Sequence, residues 1–166
     1  MEYQEGRDKF IQAWGTLGTQ WGINRTMAQI HALLLLSPEA LSAEDVMEGL
    51  QISRGNANMN LRALMDWELV FKELKPGERK EFFVAEKNMM EIVKAITTQR
   101  KKKELEPLIK VLNDLSVVKG DSDDEKEFSK VVNDFLMFSN KADSTLDNLI
   151  KSDGNWLLGS LFKLMK

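Results

Sequence analysis

The chain has 166 residues, room for one domain and one core, and its 43% hydrophobic and 30% charged residues exclude a wholly disordered tail. Cysteine is absent, which excludes disulfides, thiolate zinc sites and cysteine nucleophiles, and one histidine and one tyrosine leave little for acid–base chemistry near neutral pH. The net charge of −3 is unevenly spread: −4 over residues 1–50, +1 over 51–87, +2 over 88–118 and −2 over 119–166, so a basic middle lies between acidic ends.

Helical periodicity dominates the chain order. Phe10, Ile11, Trp14 and Leu17 recur at helical spacing and predict a helix over about residues 4–20, punctuated by Gly18 and Gly22. Asn24 is a good N-cap for a helix over 25–36, which Ser37-Pro38 stops. Ser42 with Asp45 forms a short capping arrangement for a helix through Val46 and Leu50. Ser53 can cap a fourth helix reaching to about Trp67. The period then changes: residues 69–75 and 79–85 interleave Val and Phe with polar residues around Pro76-Gly77-Glu78, which predicts a β-hairpin. Asn88 caps a long helix toward Val118, kinked or divided by Pro107. A loop over 119–124 and two further helices, over about 125–140 and 145–165, complete the reading.

Helix, short turn, helix, hairpin, long helix is the order of a winged helix-turn-helix. Ala57, Leu61, Leu64 and Met65 fall on one side of the second helix of the pair, ready to pack on Val46 and Leu50. The opposite side presents Gly55, Asn56, Met59, Arg62 and Ala63, with Asn58 and Asn60 on the flanks. Asparagine is a weak helix former, so helix stability does not explain three of them. Asn suits adenine, Arg suits guanine and Met suits the thymine methyl in a major groove, while Gly55 lets a phosphate approach backbone N–H groups. The alternative is that the asparagines only cap and face solvent. Lys72, Lys75, Arg79 and Lys80 flank the hairpin turn, as expected of a wing resting on phosphates or in the minor groove; lysines protecting an exposed hairpin end are the plainer reading.

Leu41-Ser42-Ala43-Glu44-Asp45 through Ile52-Ser53-Arg54-Gly55-Asn56, then Leu61-Arg62-Ala63-Leu64 and Trp67-Glu68-Leu69-Val70, resemble the DNA-binding core of the MarR superfamily. Pro76-Gly77-Glu78-Arg79-Lys80-Glu81-Phe82-Phe83 resembles its GbsR-like branch. The resemblance covers about residues 41–87 and implies a homodimer on a pseudo-palindromic operator in double-stranded DNA, with outer helices forming the interface. It carries the recognition-helix role to Ser53, Arg54, Gly55, Asn56, Asn58, Met59, Asn60 and Arg62, and the wing role to Lys75, Arg79 and Lys80. Some members of the family respond to choline-type ligands.

The expected fold is mainly α with a small β-hairpin wing: a winged helix-turn-helix over 24–87, and a helical dimerisation and effector region over 1–23 and 88–166, integrated into one domain. Trp156, Leu157, Leu158, Leu161, Phe162, Leu164 and Met165 are an apolar excess suited to that dimer interface. Trp14, Trp21 and Trp67 could cage a quaternary ammonium, though tryptophans at helical spacing are more often core. His31, in an apolar helix, reads as a core residue rather than a metal ligand, and residues 100–103 as a solvated basic face. The acidic stretch 121–125 lacks the glycine and spacing of a calcium loop. No enzyme, metal or cofactor signature is present. The longest apolar run, residues 32–36, is far too short to cross a membrane, and the polar start is unlike a signal peptide, so a cytoplasmic chain is expected. Two functions compete: a sequence-specific transcriptional regulator, with a repressor first, and a winged helix used only for protein–protein contact.

Overall fold

The computed structural model describes residues 1–20 and 22–152. Two compact units divide the chain at Ile92 and Val93. In the first, α1 (Tyr3–Gln20) and α2 (Arg25–Leu36) pack through small residues: a Cβ added to Gly18 would lie 2.6 Å from Ala28 Cβ, so only glycine permits this approach. Asn24 caps α2 as its sequence position implies, its Oδ1 accepting from Thr26 N at 2.8 Å and Met27 N at 3.3 Å. Helix α2 is the centre of this core. Met27, Ala28, Ile30, His31, Ala32, Leu33 and Leu34 are all buried, the mark of a helix covered on most sides.

Ser42 closes a two-residue strand, β1 (Leu41–Ser42), and caps α3 (Ala43–Leu50). Asp45 N donates to Ser42 Oγ at 3.2 Å while Asp45 Oδ2 accepts from Ser42 N at 2.7 Å, a reciprocal box. Helix α4 (Arg54–Asp66) follows after Gln51, which takes a left-handed conformation at φ 54°. Ala57, Leu61 and Leu64 of α4 and Val46 of α3 are buried, as the helical spacing requires. Strands β2 (Val70–Glu73) and β3 (Phe82–Ala85) pair antiparallel with Val70 opposite Ala85 and Lys72 opposite Phe83. They are shorter than the sequence pattern suggests. The connecting loop turns at Gly77, φ 84°, a conformation that favours glycine. Strand β1 joins the other edge of β3, giving a sheet of order β1-β3-β2. Two residues are too few to show a strand period, so this third strand is invisible in the sequence.

The long helix expected after Asn88 is divided. Helix α5 (Met89–Arg100) passes into a π-helical segment over Lys101–Leu105 and then α6 (Glu106–Leu115), with Pro107 in the first turn of α6. A proline has no N–H and its ring crowds the carbonyl four residues back; a wider turn just before it relieves that clash, and Glu106 N reaches back to Lys101 O instead. The two helices expected over 125–140 and 145–165 are, through residue 151, one helix, α7 (Asp123–Lys151). The polar stretch read as a break is helical, and within it Ser144 Oγ and Thr145 Oγ1 satisfy their hydroxyls by donating to Lys141 O, at 3.0 and 2.8 Å. The rest of the second expected helix, with Trp156, lies outside the described residues. No helix among the described residues is long and apolar enough to cross a membrane.

Candidate nucleic-acid interface

Helix α4 is held by its buried side and offers the other to solvent. Ser53 Oγ accepts from Asn56 N at 3.3 Å, and no acidic residue occupies the first turn, so the positive end of the helix is left uncompensated. Ser53, Arg54, Gly55, Asn58, Met59 and Arg62 are exposed, Met59 at 58%. Gly55 has no atom within 4 Å of the position a Cβ would take. Arg54 bridges to Glu44 at 3.1 Å, a half-open surface pair of small net stability that a phosphate can replace.

Asn60 departs from its expected place. It lies three residues after Ala57 and four before Leu64, which puts it on the packed side of α4, and it is only 3% exposed. Its Nδ2 donates to Asn56 O at 2.9 Å and Asn56 Oδ1 at 2.6 Å, which satisfies the buried amide. Asn60 is therefore a structural residue, and Asn56, half-buried, has one amide oxygen committed to it. Burial at helical spacing was available as a signal; the run of three asparagines obscured it.

The hairpin projects beside this helix pair. Lys72 Nζ pairs with Glu81 Oε1 at 2.5 Å across the strands, and Lys75 Nζ sits 4.4 Å above the Phe82 ring, which steadies the loop. Arg79 and Lys80 are exposed. The Asp45 carboxyl is held below the usual carboxylate range, first by the hydrogen bonds from Ser42 and further by the charges of Lys80 and Lys75. The wing cations and the N-terminus of α3 therefore share one electrostatic neighbourhood.

Of the three candidate tryptophans, Trp14 and Trp67 fall among the described residues. Trp14 stacks on Phe10 with centroids 5.7 Å apart and donates from Nε1 to His31 Nδ1 at 3.3 Å. Trp67 is the half-buried C-cap of α4, and Trp21 lies outside the described residues. His31 is 3% exposed with its Nε2 unpartnered, and burial lowers its pKa to about 4, so it is a neutral core residue. In the basic run 100–103, Lys102 and Lys103 are exposed, as a solvated face requires, while the first two residues are engaged in ion pairs. Arg100 pairs with Glu104 at 3.0 Å, while Lys101 reaches Asp147 at 2.7 Å and Asp143 at 3.1 Å within the second unit. Among the described residues, no group of three or more His, Cys, Asp or Glu could hold a metal ion.

This geometry, a polar exposed helix beside a cation-tipped hairpin, defines a winged helix-turn-helix. No protein-family model and no curated protein matches the chain. Among solved structures it is similar to a transcriptional regulator at 15% identity with a TM-score of 0.68, over 87% of this chain and 95% of that one, which shows the shared fold. Weaker likenesses include an S. aureus MepR mutant bound to an oligodeoxyribonucleotide, at 18% identity and TM-score 0.42 over 83% of this chain and 94% of that one. A Lactococcus lactis ZitR mutant is 21% identical, with TM-score 0.35 over 72% of this chain and 74% of that one.

Proposed function

We propose that the chain is a non-enzymatic, sequence-specific transcriptional regulator of the MarR type and GbsR-like branch, acting on double-stranded DNA as a cytoplasmic repressor without cofactor or metal. The observation that carries this is the exposed face of α4, where Asn58, Met59 and Arg62 stand free of the core, together with the exposed Arg79 and Lys80 of the wing. Arg62 and Asn58 have the donors to read base edges, Met59 suits a thymine methyl, and Ser53, Arg54, Gly55 and Asn56 line the phosphate-facing end of the helix. Lys75, Arg79 and Lys80 supply phosphate or minor-groove contacts. The likeness in fold to a transcriptional regulator supports the reading.

The reading includes a homodimer on a pseudo-palindromic operator, with residues 24–87 on DNA and helices of 1–23 and 88–166 at the interface. Leu108, Val111 and Leu115 of α6 and Phe128, Val131, Phe135 and Phe138 of α7 are each more than a third exposed, at spacings of three and four residues. Such seams suit a second copy. The resemblance adds a small-molecule effector of choline type.

Binding to random duplex across a salt series separates regulator from protein-contact module. Phosphate contacts release counterions, so affinity should fall steeply and linearly on log–log axes. Absence of duplex binding at low salt favours the protein-contact module.

A further inference from the structure

Leu74 is the residue of the wing that the fold does not use. It directly follows β2 and is 84% exposed, more than any other large apolar residue among those described except Met1. A lone exposed leucine is unremarkable on a protein surface. Its setting here is different. The loop carrying it is braced by the Lys72–Glu81 pair and by Lys75 over Phe82, and it contains exposed Pro76, Arg79 and Lys80. A steadied, cation-bearing tip with an apolar point is the arrangement by which β-ribbons enter a minor groove: the charges seat on phosphates and the apolar side chain wedges between base pairs. Lys75 is held against the Phe82 ring, whereas its neighbour Leu74 stays almost fully exposed.

We infer that Leu74 is a minor-groove wedge that partly unstacks one base step where the wing meets DNA, a role resting on the DNA-binding reading above. Pyrimidine–purine steps open most readily, so the wedge favours a TA step flanking the major-groove contact. This assigns the wing a share in specificity by deformability, beyond phosphate attraction.

The test uses the full chain and an alternating A·T duplex of about 30 base pairs, long enough for two half-sites and offering a TA step at every second position. 2-Aminopurine replaces adenine at the TA steps and brightens when unstacked. The wild-type chain should bind with a steep salt dependence and raise the fluorescence. Leu74→Ala should keep the melting curve and the salt slope, bind about tenfold more weakly, and leave the fluorescence low. Leu74→Phe, which keeps an apolar wedge, should restore the signal. Salt-dependent binding by the wild type without brightening, or with Leu74→Ala equal to it in affinity and fluorescence, overturns the wedge and leaves the DNA-binding reading standing. A wild-type chain that binds no duplex at low salt overturns that reading and the wedge together.

Discussion

Gly55 separates folding from function most cleanly. It stands at the second position of α4, exposed, with open space where a side chain would go. A helical glycine costs about 0.5–1 kcal/mol relative to alanine, and among the described residues no atom lies within 4 Å to exclude a side chain there. Gly55→Ala should therefore raise stability by up to that amount in chemical denaturation, while the added methyl weakens duplex binding measured by anisotropy. Lower stability, or unchanged binding, would refute a phosphate-facing role. His31 makes a second residue-scale prediction. Folded, it stays neutral down to about pH 4; unfolded, it takes a proton near 6.5. The unfolded state thus binds more protons between these values, so the contribution of His31 is fully present above about pH 6.5 and is lost as pH falls toward 4, on the order of 2–3 kcal/mol. Urea midpoints compared at pH 7 and pH 4.5 should show this fall, and His31→Phe should flatten it; an unchanged slope in the variant would assign the pH dependence elsewhere.

At the scale of elements, the wing is the feature whose charge and fold can be pulled apart. Arg79→Ala with Lys80→Ala removes two exposed cations from a loop, and such changes shift stability by less than about 0.5 kcal/mol. Duplex affinity should drop by a similar factor for any sequence, and the log–log salt slope should fall by about 2. A wild-type slope in the double variant would remove the wing from the interface. Element boundaries were legible wherever a side chain acts on its own neighbourhood. Asn24, Ser42, Ser53 and Asn88 cap helices three or fewer residues away, and each helix starts where its cap stands. What depends on distant partners was hidden. Strand β1 exists because β3 offers it an edge, and Lys101 is tied to α7 residues more than forty positions away. Pro107 announced a disruption but not its form as a π-helical segment.

For the whole molecule, the proposed pairing rests on the apolar seams of α6 and α7, and the proposed DNA contact on α4 and the charged wing. Light scattering at micromolar concentration should report twice the chain mass, and Phe135→Glu with Phe138→Glu, both exposed, should return it to one. A monomeric wild type would remove the two-fold reading. Selection of bound duplexes from a random-sequence library tests the central claim most directly. A dimeric regulator should enrich a pseudo-palindrome whose half-sites lie about one helical turn apart, roughly 10–10.5 base pairs centre to centre or a multiple of it. Recovery of no enriched sequence, from a chain that is folded and retained on duplex at low salt, would contradict it.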